Sequence, residues 1–218
     1  YIIPMGAAIW STDLEQMQHF PARFFIRFFD HHGLLQVANR PRWFTVEGGS
    51  NSYVKPLIHG HRQRIRLNSP VTSIRRFNDH VLLNVEGEPA QRFDAVFLAC
   101  HSDQALAMLD QPTIAETEVL GAMAYQQNEA VLHTDASVLP KRKLAWASWN
   151  YHLSGQAEDR VAVTYNMNRL QGLDAPETFC VTLNNDAGID PARVLKRISY
   201  EHPVFTAESV AAQQRHAE

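Results

Sequence analysis

The residues that invite a chemical reading first are histidines, a cysteine and a glycine pair. His59-Gly60-His61 and His31-His32 present imidazoles close together, but neither has Cys, Asp or Glu at ligand spacing. Zinc sites need three or four convergent ligands, so these pairs are read as solvent-facing loop histidines and no metal is expected. Cys100-His101 places a nucleophile type beside a base type. Adjacent residues of an extended chain point to opposite sides, so a packed thiol is the expectation there. Gly48-Gly49-Ser50 precedes a helix-like Tyr53 to Ile58, and backbone donors at such a start can hold an anion. The chain contains no G-x-G-x-x-G, P-loop or G-x-S-x-G. Within these residues, therefore, no motif specifies a nucleotide site or a serine hydrolase.

The elements that must position such residues follow from composition and period. The chain has 218 residues, 45% of them hydrophobic and 20% charged, a balance that excludes collagen, coiled coil and wholesale disorder. Lys and Arg number 20 against 23 Asp and Glu, a net charge of −3 with no basic block, so nucleic acid has no electrostatic footprint. Cys100 and Cys180 fit neither a disulfide framework nor a zinc pattern, which points to a reducing, cytoplasmic setting. No apolar run has the length of a membrane span. The opening on Tyr1-Ile2-Ile3 without Met, and the stop in a helical-looking Ala207 to Glu218, read as the ends of an excised piece.

The first third reads as helical. Thr12-Asp13-Leu14-Glu15 is a capping-box pattern, Pro21 suits a first helical turn, and Phe24, Phe25, Phe28 and Phe29 form one stripe ending near Gly33. From Val71 the period becomes two. Val71 to Ile74, Val81 to Val85 and Ala95 to Ala99 are predicted strands of a small meander, the last buried on both faces, followed by a helix over Ser102 to Leu109. After Pro112, strands are predicted over Ala130 to His133, Leu144 to Trp149, Val161 to Met167 and Phe179 to Leu183, with Gly155-Gln156 in a connection. Asp190-Pro191 predicts a helix running toward Tyr200, and Thr206 caps a last one. The fold class expected is α+β.

The order of Trp43-Phe44-Thr45-Val46-Glu47-Gly48-Gly49-Ser50, Tyr53-Val54, Leu57, Val71-Thr72-Ser73-Ile74 and Phe93 to Ala99 resembles the middle of FAD-dependent amine oxidase and phytoene desaturase relatives. Pro4 to Ser11 is similar to a segment of a bacterial subgroup of NAD/FAD-binding proteins. The resemblance implies a substrate domain with a mostly antiparallel sheet and helices, carrying an inserted β-meander part of a Rossmann-like FAD-binding domain. The remaining N- and C-terminal parts would be its partners. It implies helices of the substrate domain over 1–45, the FAD-domain portion over 46–111, the substrate-domain sheet over 112–205, and a return segment over 206–218.

Carried over by position, the resemblance gives Val71 a backbone contact to the adenine of FAD and places Ala99 and Cys100 beside the nucleotide. Amine oxidases often set a lysine facing the flavin, whereas the matching stretch here is Gln126-Gln127-Asn128-Glu129-Ala130-Val131-Leu132-His133. Carbon–carbon dehydrogenation or isomerisation of a lipid-like substrate then stands beside amine oxidation. The alternative to an enzyme is a non-catalytic binding or scaffold protein on the flavin fold. A dry pocket for a small apolar substrate is lined mainly by aromatic residues, and Trp10, Trp146, Trp149 and Tyr165 are the candidates.

Overall fold

The computed structural model describes residues 2–39, 41–152, 162–185 and 187–217. Tyr1, Gly155-Gln156, Val161 and Glu218, named above, lie outside the described residues. The elements in chain order begin with helices α1 (Ile2–Trp10), α2 (Leu14–Gln18), α3 (Ala22–His31) and α4 (Asn51–Ile58). Next come β1 (Val71–Arg76), β2 (Val81–Val85), β3 (Gln91–Phe93), α5 (Ser102–Met108) and α6 (Ile114–Gly121). The last are β4 (Ala124–His133), β5 (Trp149–His152), β6 (Ala162–Asn166), α7 (Met167–Gln171), β7 (Cys180–Leu183), β8 (Val194–Val204) and α8 (Ala207–Ala212). The chain divides into two compact units, one of residues 1–56 with 125–204 and the other of 57–124 with 205–218.

In the first unit the opening helices close on aromatic rings. The cap of α2 is Asp13, whose carboxylate accepts from the Gln16 N–H, while Thr12 instead donates its hydroxyl to the Gln16 side chain at 2.9 Å. Pro21 stands just before α3, and Gly33 ends the helix with φ +63°, where a Cβ would meet the Pro41 ring at 2.4 Å. Only glycine fits that turn without strain. Gly6 in α1 leaves room for Met17 and Phe25, each 2.8 Å from where its Cβ would stand.

The same unit holds a five-stranded sheet in the order β5-β6-β7-β4-β8. β5, β6, β7 and β4 pair antiparallel with neighbours in that order, as alternating polarity predicts. Two expectations fail here. The predicted strand from Leu144 becomes a 3-10 turn at Lys143–Ala145, with Leu144 fully exposed and β5 starting only at Trp149. The Trp146 indole N–H donates to the Pro140 carbonyl at 2.7 Å, which folds this cation-flanked segment back on itself. The predicted helix after Asp190-Pro191 is a single 3-10 turn, capped by the Asp190 carboxylate, and then the eleven-residue edge strand β8. β-branched Val194, Ile198 and Val204 and Pro203 favour that extended edge over a helix.

The second unit carries the antiparallel sheet β1-β2-β3. Its core includes Ile74, Val85 and Ala105. The third strand is Gln91–Phe93, and the predicted buried strand over Ala95–Ala99 is not a strand: these residues pair with no neighbour among the described residues. Phe97 is 96% exposed. An all-apolar run implies burial only where another layer lies against it, and among the described residues none does. Arg76 ties β1 to α6, forking onto the Glu116 carboxylate and donating to the Gln111 carbonyl at 2.9 Å. Glu116 also closes the capping box of α6, accepting from the Thr113 N–H at 2.8 Å.

The Arg76 fork and the Thr113 N–H hold the Glu116 carboxyl down to about 2, from an ordinary 4.5. A depressed carboxylate contributes stability above its unfolded pKa and loses it as pH falls through the folded one. Urea unfolding is therefore expected to show stability declining between pH 4.5 and about 2, and Glu116→Gln should flatten that decline. An unchanged pH profile in the variant would contradict the Arg76–Glu116 tie.

Candidate functional site

The register of the five-stranded sheet sorts its two faces. Trp149 lies opposite Tyr165, Tyr165 opposite Val181, and Val181 opposite Leu132, so one row crosses four strands on one face. Tyr151, Val163, Leu183 and Ala130 form the neighbouring row of that face. It is an apolar surface with two phenols. The Trp149 and Tyr165 rings meet edge-on at 5.5 Å, Trp149 is 45% exposed, and burial pushes the Tyr165 hydroxyl above its ordinary pKa.

The opposite face is polar and more deeply buried. His133, Thr182, Thr164 and Cys180 are 0% exposed, and Asn166 is 1%. His133 bonds Thr182 at 2.8 Å, Thr182 bonds Thr164 at 2.8 Å, and Thr164 bonds His152 at 2.8 Å. Burial lowers both histidines. Burial, with the charge of Asp135 adding to it, pushes the Cys180 thiol up to about 11, so it is inert as a nucleophile at neutral pH. Asp135 accepts from the Ser137 and Asp190 backbone N–H groups, both at 2.9 Å, joining the loops that follow β4 and precede β8. Polar positions of a strand read as solvent-facing from sequence; only the register shows that these turn inward.

The other aromatic candidates occupy different surroundings. Trp10 sits in a cluster with Phe20 at 4.3 Å, Phe28 at 4.9 Å and Phe25 at 5.7 Å between centroids. Trp146 is half-buried, with Lys143 over its ring at 5.8 Å. A groove of about 390 Å³ runs along β4 and β8, lined by Gln127, Asn128, Glu129, Arg197, Ile198 and Ser199. None of the four aromatic candidates lines it. Its charges are paired, Arg197 donating to Glu129 at 3.0 Å.

The nucleotide-side candidates lie in the second unit. Val71 begins β1 opposite Val85, with a register irregularity before Ser73. Ala99 and Cys100 are exposed at the end of the apolar run, so the packed thiol expected at Cys100 is a surface one. Residues 94–100 have no main-chain hydrogen-bond partner among the described residues. Among the described residues, no cluster of His, Cys, Asp and Glu is arranged to hold a metal ion, and no helix is long and apolar enough to cross a membrane.

Comparison with known proteins decides the family. Residues 5–165 match the model of the flavin containing amine oxidoreductases. The chain belongs to that family. A comparison with curated proteins gives no match. Among solved structures, a candidate protoporphyrinogen oxidase from Exiguobacterium sp. 255-15 superposes with TM-score 0.55 at 14% identity, covering 87% of this chain and 48% of its own. A putrescine oxidase bound to putrescine gives TM-score 0.45 at 13% identity, over 64% of this chain and 30% of its own. The chain thus spans less than half the length of these structures. The first shows the same mixed fold of helices and antiparallel sheet.

FAD is the cofactor of the family. Of the adenine-side candidates, residues 94–100 make no backbone hydrogen bond among the described residues, and Val71 lies opposite Val85 at the start of β1, so what they present toward a cofactor is main chain. No pyrophosphate cradle of the G-x-G-x-x-G kind lies in this sequence.

The Trp10 cluster generates a direct expectation. Removing a ring packed against several others costs about 3 kcal/mol. Trp10→Ala should lower the stability of the chain by that order, read from its urea midpoint, while Trp149→Ala, at a half-exposed ring, should cost less than about 1.5 kcal/mol. Equal losses would contradict the difference in packing.

Proposed function

We propose that the full-length protein is an FAD-dependent oxidoreductase acting on a small apolar, lipid-like substrate by carbon–carbon dehydrogenation or isomerisation. The observation that carries this reading is β4. Its Gln126–Glu129 stretch contains no lysine, and each of its side chains is committed elsewhere. Gln126 donates to the Ser11 carbonyl, Gln127 bonds Ser199 at 3.2 Å, Asn128 accepts from Asn184 at 2.8 Å, and Glu129 pairs with Arg197.

When bound, the flavin supplies the hydride acceptor. The protein's part is to hold and orient. Val71, Ala99 and Cys100 take the adenine end through main-chain groups. The row Trp149–Tyr165–Val181–Leu132 takes the substrate, excluding water and fixing its face; about 25 cal/mol per Å² of buried apolar area supplies affinity without a charged anchor. Trp10, packed among phenylalanine rings, and Trp146, whose indole N–H donates to the Pro140 carbonyl, stand outside this reading. The exposed apolar run at Val96, Phe97 and Leu98 is the proposed seat of the rest of the FAD-binding domain, in cytoplasmic surroundings.

Absorption spectroscopy of the full-length protein, followed by anaerobic addition of unsaturated-lipid and amine donors, tests the reading. Flavin bands bleached by an apolar donor are expected. Bleaching by amines alone overturns the substrate class, flavin that no donor reduces favours the scaffold alternative, and no flavin uptake overturns both. Tyr165→Ala should lower kcat/KM about tenfold with flavin content intact. Val71→Pro, which removes a backbone donor, should do the reverse, leaving the folded protein depleted of flavin.

A further inference from the structure

The polar row inside the five-stranded sheet has a direction that its geometry dictates. The Asp135 backbone N–H donates to His133 Nδ1 at 3.1 Å, and a backbone N–H cannot accept. His133 Nδ1 therefore carries a lone pair, and the ring's proton sits on Nε2, facing the Thr182 hydroxyl at 2.8 Å. Thr182 accepts that proton and has its own left to donate. The hydrogen-bond partners of the buried Thr182 hydroxyl are His133 and Thr164, so its proton goes to Thr164. Thr164 in turn donates to His152 Nε2 at 2.8 Å. Reversing the Thr164 end would leave the Thr182 proton buried with no acceptor, which folded proteins avoid.

We propose that His133, Thr182, Thr164 and His152 form a one-way hydrogen-bond chain that locks two histidines in opposite neutral tautomers and latches β4, β7, β6 and β5 together. His133 is the Nε2–H form and His152 the Nδ1–H form. Protonating His152 at Nε2 would turn that nitrogen into a donor and force the chain to reverse, ending with a proton on His133 Nδ1 against the Asp135 N–H. The latch is thus acid-labile by construction. The ionisable groups around His133 are Asp135, whose charge acts against its burial, and Cys180, directly opposite on β7. For His152 the cause is burial alone. Both folded values lie below 6.5, so stability is full above that pH and declines as pH falls from 6.5 toward them.

Imidazole ¹⁵N NMR on the full chain reads the tautomers. A pyridine-like Nδ1 on His133 and a pyridine-like Nε2 on His152 are expected; a pyrrole-like Nε2 on neutral His152 would overturn the proposal. Thr164→Val removes the donor to His152 and Thr164→Ser keeps it. The valine variant should titrate His152 about half to one pH unit higher than the wild type, with the serine variant unchanged. Identical titration in all three proteins would overturn the chain, and the wild-type tautomers decide it even if the valine variant does not fold.

Discussion

The five-stranded sheet depends on keeping every buried polar group of one face partnered. A hydroxyl or imidazole left unpaired there costs about 1 to 3 kcal/mol, whereas each bond made contributes about 1, so the penalty for a wrong register outweighs the gain from any one contact. Slipping β6 by one residue would carry Thr164 and Asn166 to the apolar face and bring Tyr165 and Val163 into the polar row. The polar row thus acts as the register key, and it delivers Trp149 and Tyr165 together on the opposite face. The surface proposed to take substrate is a consequence of what the other face must satisfy.

The second unit obeys a different constraint. Its three-stranded sheet is small, and its stability leans on Ile74, Val85 and Ala105 together with the Arg76–Glu116 fork. Surface ion pairs alone contribute little, about 0 to 1 kcal/mol, but this one also accepts the cap of α6 and so orders a helix terminus. Beside it, residues 94–100 form no regular element and make no backbone hydrogen bond among the described residues. The proposal that a flavin domain completes this unit rests on that pairing of a small meander with an exposed, unbonded segment.

The sequence made some of this legible. Period two revealed β1 and β2, the Thr206 pattern revealed the cap of α8, and glycines marked the turn at Gly48 and Gly49. Local signals misled where tertiary contacts decide. Asp190-Pro191 starts only one 3-10 turn before β8 pairs along the sheet edge, and the apolar run Ala95–Ala99 reads as buried because hydrophobicity does not show whether a neighbouring layer exists. The apolar row was legible as residue types, not as a row. The His133–Thr182–Thr164–His152 chain was illegible, since its partners are 49, 18 and 12 residues apart and meet only through register.

The proposal everything else leans on is that this chain would hold the adenine end of FAD through backbone alone, at Val71 and at Ala99–Cys100. Amide hydrogen exchange of the full-length protein, with and without added FAD, tests it most directly. Residues 94–100 and Val71 should exchange quickly without the cofactor and become protected with it, while β5 to β7 stay unchanged. Protection confined to other segments, with residues 94–100 still exchanging quickly in the flavin-loaded protein, would contradict it.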